Sequence, residues 1–257
     1  MRMGLGGAIY KTIMSKKRDG NPSPRLQDAI YKGQKGILNS LGLPGQGVDE
    51  FANGITTSKL WSFDRPLGIS IGGESHNEYI ENLIKIDKAF KNIDKQYFYE
   101  LNISCPNTEN GVTICQEPEN LESLLASVRK ITDAAISIKV SPDVPDKKLL
   151  EIGEIASFFE KIIINAGNTK LVKPEDVNVD PNNFSMPAGG LSGLPVLKRT
   201  ISMVKLFSNF KNPIMATGGI SNISHVNAAK SAGASLYGMA TSLVLDPYCI
   251  PRINSQL

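Results

Sequence analysis

The stretch AISIKVSPDVPDKKLLEIGEIASFFEKIIIN, residues 135–165, carries the fold in miniature. It opens on a short apolar run, Ala135–Val140, and closes on another, Lys161–Asn165. Between them Leu149, Ile152, Ile155, Ala156 and Phe159 recur at three- and four-residue steps, which sets one apolar stripe along a helix over Lys147–Phe159. Asp146 stands where an N-terminal cap is expected. Strand, amphipathic helix and strand in this order make the crossover unit of a parallel sheet.

Outward from this unit the alternation repeats. Strands are predicted at Ala8–Tyr10, Leu67–Ile71, Phe98–Ser104, Pro213–Thr217 and Ser235–Ala240, which with the two above makes seven. Helices are predicted at Asn77–Asp94, Leu121–Thr132 (with Asn120 as its cap), Leu197–Phe210 and Ser224–Ala232. The unit lengths vary too much for a solenoid. Two stretches, Asp19–Pro66 and Thr169–Leu194, fit no simple unit and read as long binding loops rather than interdomain linkers. The expectation is one domain over residues 1–257, of α/β class, built as a (β/α)8 TIM barrel. An open doubly wound sheet shares the same alternation, and seven strands instead of eight leave that choice open on pattern alone.

Composition removes several functions. Lys and Arg number 28 against 25 Asp and Glu, a formal charge of +3, so no nucleic-acid footprint is expected. With 41% hydrophobic and 21% charged residues the chain has a globular balance. Even the apolar run Ile152–Phe159 is broken by Gly153, Glu154 and Ser157, far short of the ~20 residues of a membrane span. Three cysteines, Cys105, Cys115 and Cys249, form no C-x-x-C, and the two histidines, His76 and His225, lie far apart. No disulfide framework, zinc site or iron–sulfur cluster is expected, and a reducing, cytoplasmic location fits.

In a barrel the residues just after each strand ring one mouth. Here they are Lys11, Cys105-Pro106-Asn107-Thr108, Asn168 and Thr169, the turn Gly189–Gly193, Gly218-Gly219 and Thr241-Ser242, with Lys139 inside its strand. Gly218-Gly219 before a helix suits a phosphate, although a tight strand-to-helix turn needs the same glycines. Lys139 in ISIKV is costly unless it meets an anion or an electron-rich ring; a solvated strand-end lysine is the plain alternative. Asn102 and Ser104 share a strand face, and Cys105 begins a turn enforced by Pro106. A thiol there can act as a proton acceptor, or can simply be a buried cysteine.

Several motifs together resemble dihydroorotate dehydrogenase: GNPSPR at Gly20–Arg25, NSLGLPG at Asn39–Gly45, NISCPNT at Asn102–Thr108, GGLSG at Gly189–Gly193, ATGGI at Ala216–Ile220 and AGAS at Ala232–Ser235. They occur in the family's order along nearly the whole chain. The resemblance implies an FMN-containing barrel that oxidises dihydroorotate to orotate in de novo pyrimidine synthesis, with a second electron acceptor left unidentified. It implies Cys105 as the catalytic base for the substrate C5 proton. It places Lys11, Asn39, Leu41, Gly42, Leu43, Asn102, Asn107, Asn168 and Thr169 around the substrate, and Lys11, Lys139, Gly190, Gly218, Gly219, Ala240 and Thr241 around FMN. Carboxamides suit a planar imide, because each both donates and accepts. Cysteine at 105 resembles the soluble class of the family. GLGGAIYKT at Gly4–Thr12 matches the family's second strand, so the resemblance predicts seven of eight barrel strands and an N-terminal truncation. A homodimer is the assembly the family often adopts.

Two other readings compete: a flavin-barrel enzyme of dihydropyrimidine dehydrogenase or dihydrouridine synthase type, and a non-catalytic remnant. The dihydropyrimidine dehydrogenase type lacks its cluster-ligating cysteines here, and the dihydrouridine synthase type lacks a basic RNA surface. His76 reads as a capping or solvated residue, His225 as a helix-surface residue, Trp61 and Phe63 as core anchors in preference to a lid or dimer contact, and Cys115 and Cys249 as bystanders.

Overall fold

The computed structural model describes residues 2–103 and 118–257. Numbered in chain order, seven strands form one parallel sheet: β1 (Ala8–Ile13), β4 (Leu67–Ile71), β5 (Tyr97–Leu101), β6 (Ala135–Val140), β7 (Ile162–Ala166), β10 (Ile214–Thr217) and β11 (Leu236–Gly238). Four others, β2 (Leu26–Tyr31), β3 (Gln34–Asn39), β8 (Lys170–Val172) and β9 (Gly189–Gly193), form a separate antiparallel sheet. In the parallel sheet the spatial order β1-β4-β5-β6-β7-β10-β11 follows the chain without reversal. A doubly wound sheet reverses at a switch point, whereas a barrel winds in one direction. The sheet is therefore the curled, singly wound sheet of a (β/α)8-type barrel. Among the described residues β1 and β11 are its two edges and do not pair with each other.

Helices α1 (Val48–Ile55), α2 (His76–Phe90), α3 (Pro118–Arg129), α4 (Asp146–Ser157), α5 (Leu197–Phe207) and α6 (Ile223–Ser231) cover the outer face; α7 (Thr241–Leu245) lies against β9, and α8 (Cys249–Asn254) adds Ile253 to the core. Alternate strand residues, such as Ile69, Ile71, Tyr99, Leu101, Ile136, Ile138, Ile162 and Ile164, pack under them in one continuous core. Each such buried side chain contributes roughly 1.5–3 kcal/mol. From α2, Leu83, Ile86 and Phe90 enter this core; the Phe90 ring meets Trp61 at 5.7 Å and Tyr97 at 4.9 Å, both edge-on. Trp61 donates its indole N–H to the Ile55 carbonyl at 2.7 Å, as a core anchor should. Tyr99 donates to Asp87 at 3.0 Å, and burial together with that carboxylate pushes its phenol pKa upward.

The helical stripe in α4 is in place: Leu149, Ile152, Ile155 and Ala156 are buried, while Phe159 lies just past the helix end. Two capping expectations are corrected. The N-cap of α4 is Pro145, with Asp146 inside the first turn, where its charge favours the helix dipole. Helix α3 begins at Pro118, so Asn120 is helical rather than a cap. Gly153 is required by packing, because a Cβ there would lie 2.3 Å from the Phe210 ring.

The largest departure lies in the two stretches read as loops. They supply the antiparallel sheet, in which the β2–β3 hairpin pairs with β9, and β9 with β8. This layer has its own small core of Ala29, Leu38, Val172, Val177, Val179, Phe184 and Leu191. The first stretch also yields α1. No helix among the described residues is long and apolar enough to cross a membrane.

Candidate active site

Successive strand residues point to opposite faces, so the residues opposite the helix-facing Tyr99, Leu101, Ile136, Ile138 and Ile164 line the barrel interior. They are polar. Ser70 on β4, Glu100 on β5, Asn102 just after it, Ser137 on β6 and Asn165 on β7 are all buried. Register places Glu100 opposite Ser137 and Lys139 opposite Asn165. The Glu100 carboxylate accepts from Asn165 Nδ2 at 2.7 Å and from Ser137 Oγ at 3.3 Å. Nearer β1, Asn102 Nδ2 donates to Thr12 Oγ1 at 2.9 Å, Thr12 lies 3.1 Å from Ser70 Oγ, and the Asn102 carbonyl accepts from Tyr79 at 2.7 Å. A polar interior of this kind costs stability unless its groups are satisfied, and it is placed at the C-terminal ends of the strands, where barrel sites form.

Around this interior the antiparallel sheet and two loops close one side of the mouth. Asn39, the last residue of β3, pairs with Gly190 and donates to its carbonyl at 3.0 Å. A Cβ at Gly190 would lie 2.1 Å from Thr169 Oγ1, so Asn39, Gly190 and Thr169 form one contiguous wall. The motifs at 20–25 and 39–45 pack on each other: Asn21 donates its backbone N–H to the Leu41 carbonyl at 3.1 Å and its Nδ2 to the Ser40 carbonyl at 2.8 Å. Arg25 ties the turn together by donating to the Asp19 and Asn21 carbonyls. Gly42, at φ +72°, leaves no room for a side chain against Asn21. The Lys11 ammonium donates to the Pro44 carbonyl, which brings Lys11 to the loop carrying Leu41, Gly42 and Leu43.

On the other side Gly218 and Gly219 follow β10 with φ of +142° and +77°. The turn lies on the start of α5, since a Cβ at Gly219 would meet Leu197 at 2.6 Å. Thr241, the first residue of α7, donates to Ser192 Oγ at 2.8 Å, and Ser192 donates to the Ile37 carbonyl at 3.1 Å. Thr241 Cγ2 would also be 3.2 Å from a Cβ at Gly193. The ends of β9 and β10 and the starts of α5 and α7 therefore converge, with exposed Ala240 as the residue before α7. His225 sits beneath this turn as well: its Nδ1 lies 3.2 Å from Ser221 Oγ, and burial lowers its pKa despite a bond to the Gly219 backbone. It is half-buried in the first turn of α6. His76 begins α2 beside its cap Ser75 and lies 3.3 Å from Ser127 Oγ.

Cys105 and Asn107 lie outside the described residues, as do Ser104, Thr108 and Cys115. Cys249 is buried and free. Among the described residues no cluster of three metal-ligating side chains exists. Ser192 belongs to the Gly189–Gly193 turn read from the sequence, whereas Thr12, Ser70, Glu100, Ser137, Asn165 and Thr217 are not among the residues the sequence singles out. Period-two counting from Asn102 and Lys139 reaches Glu100 and Ser137, so part of that signal was present.

Among the described residues, the buried polar atoms without a partner include Asn165 Oδ1 and Thr217 Oγ1. They sit at the ends of adjacent strands β7 and β10. Such atoms, beside a glycine turn whose amides suit an anion, fit a ligand with a polar planar part and a phosphate.

The family model for dihydroorotate dehydrogenase matches residues 1–257. The chain belongs to the dihydroorotate dehydrogenase family. It is 32% identical to "Dihydroorotate dehydrogenase B (NAD(+)), catalytic subunit" of Malacoplasma penetrans, over 98% of this chain and 80% of that one. The protein of the same name in Bacillus cereus is also 32% identical, over 98% of this chain and 79% of the relative. The fold is shared with the crystal structure of DHODH from Eimeria tenella in complex with ferulenol, at a TM-score of 0.78 and 21% identity, covering 98% of this chain and 74% of that one. Membership carries the family reaction: this is an oxidoreductase that oxidises dihydroorotate in pyrimidine biosynthesis with FMN as its cofactor.

Proposed function

We propose that the described mouth, completed by the segment carrying Cys105, is the site of dihydroorotate oxidation, within one domain spanning residues 1–257. The observation that carries this reading is the buried polar interior at the ends of β5, β6 and β7, where Asn102, Glu100, Ser137 and Asn165 replace the apolar filling usual for a barrel. FMN, when bound, supplies the acceptor for the hydride from the substrate. The chain supplies the rest. Cys105 takes the C5 proton, and its thiolate is the competent form. Asn39, Asn102, Asn107, Asn168 and Thr169, with the loop Leu41-Gly42-Leu43, hold the ring, and Lys11 balances the carboxylate. Lys139 brings positive charge to the flavin edge, where negative charge develops on reduction. Gly190, Gly218, Gly219, Ala240 and Thr241 hold the ribityl phosphate.

The relatives' names support a further assignment, that electrons pass to NAD+ through a separate subunit and that this chain is the catalytic one. Turnover with NAD+ only when such a subunit is added supports it; equal turnover by this chain alone contradicts it. A cytoplasmic location accords with that chemistry.

The test of the base is Cys105→Ala. The expected outcome is retained FMN with dihydroorotate-dependent flavin reduction slowed by about 10²–10⁴-fold, the usual contribution of a positioned base. An unchanged reduction rate removes Cys105 from that role.

A further inference from the structure

We propose that Glu100 is a positioning residue that sets substrate recognition by fixing which end of the Asn165 carboxamide faces the mouth. This rests on the reading of the mouth as a dihydroorotate site. Glu100 is 2% exposed, inside the barrel, and a buried carboxylate there is costly unless donors surround it. The donors present are Asn165 Nδ2 at 2.7 Å and Ser137 Oγ at 3.3 Å, both converging on Oε2. Lys139, two residues beyond Ser137 on the same strand face and opposite Asn165 in register, adds a positive charge to this wall.

A neutral carboxamide is ambiguous, because its two ends differ only in donor and acceptor character. A carboxylate only accepts, so Glu100 takes the Nδ2 end and leaves Oδ1 turned away from it. Asn165 Oδ1 is indeed buried and without a partner among the described residues. An orphaned acceptor in the interior is destabilising by itself, and its natural complement is a ligand N–H. Dihydroorotate offers ring N–H groups on both sides of its C2 carbonyl. With Glu100 in place, the wall at residue 165 welcomes an N–H and opposes a carbonyl, which selects the ring orientation. Specificity of this type arises because a mismatched ligand leaves the buried polar group unpaired.

Three holoenzyme variants test the assignment, with orotate titration followed by the flavin spectrum, steady-state KM and kcat, and Tm. In Glu100→Gln the side chain keeps its shape and can pair with either end of the amide. Orotate affinity is expected to fall about 10-fold and KM for dihydroorotate to rise similarly, the scale of one hydrogen bond, with a smaller change in kcat. Asn165→Asp alone sets two carboxylates against each other and should lose more. The double variant Glu100→Gln/Asn165→Asp restores one donor facing one acceptor, with the second carboxylate oxygen of the new side chain turned outward, so orotate affinity should recover beyond either single variant. The proposal is overturned if Glu100→Gln leaves affinity and KM unchanged, if its effect is confined to Tm and FMN retention, or if the double variant is no better than the singles. A wild-type holoenzyme that binds FMN but not orotate overturns the functional reading itself, a result distinct from these.

Discussion

The parallel barrel sheet and the antiparallel sheet beside it are built on opposite logics. In the barrel each strand is followed by the helix that covers it, so contacts are regular and the apolar pattern is continuous. In the antiparallel layer the partners are distant in sequence: Gly36 pairs with Gly193 and Asn39 with Gly190. The barrel buries a core shared by strands and helices, whereas the antiparallel layer rests on a cluster of seven buried side chains. Yet both reach the same mouth, Asn165 and Asn102 from the barrel, Asn39 and Gly190 from the sheet. The difference teaches that one supplies rigidity and the other supplies a wall that can be perturbed locally.

Truncations in the two cores sharpen this contrast most. Leu83 in α2 and Leu38 in β3 are both fully buried. Leu83→Ala should lower global stability by about 2–5 kcal/mol, seen as a large drop in Tm and in the denaturation midpoint. Leu38→Ala makes a cavity of the same origin, but its effect should fall on the antiparallel layer: faster amide exchange in β2, β3, β8 and β9 and a raised KM, with a smaller shift in Tm. Equal Tm losses in the two variants would erase the distinction between the regions.

A smaller effect probes the close packing of the barrel's helices. Gly153→Ala drives a methyl toward the Phe210 ring, and an expected loss of about 1–3 kcal/mol follows from overpacking despite the better helix propensity of alanine. Stabilisation in a thermal melt would show that the seam between α4 and the turn after α5 is loose. The smallest effect is one of pH. His225 has a folded pKa lowered from 6.5 by burial, so the unfolded chain binds the proton more readily. Its neutral form costs nothing above that value, and stability is lost as pH falls through 6.5 toward the folded pKa. His225→Gln should therefore flatten stability in that window and leave it unaltered at pH 8.

The same contrast explains what the sequence disclosed. All seven parallel strands were legible because β-branched runs alternate with amphipathic helices, and Leu67–Ile71 and Ala135–Val140 have the expected bounds. The antiparallel sheet was hidden: β8 is three residues long, β9 is GGLSG, and neither carries the apolar alternation of a strand. The β3–β9 pairing joins residues about 150 positions apart in the chain, which no local pattern encodes. The glycines of the two N-terminal motifs were visible as motifs, but their reason, the packing of Gly42 against Asn21, emerged only in three dimensions. Asn165 was overlooked because its neighbours Asn168 and Thr169 fit the loop after the strand, whereas Asn165 itself ends the buried run IIIN. A polar residue at the end of an apolar strand is the signal that identifies it.

The most direct measurement is the anaerobic visible spectrum of the FMN-loaded protein before and after dihydroorotate is added. The account predicts bleaching of the bound flavin with a matching amount of orotate formed. A flavin that stays bound and oxidised in excess dihydroorotate would contradict it.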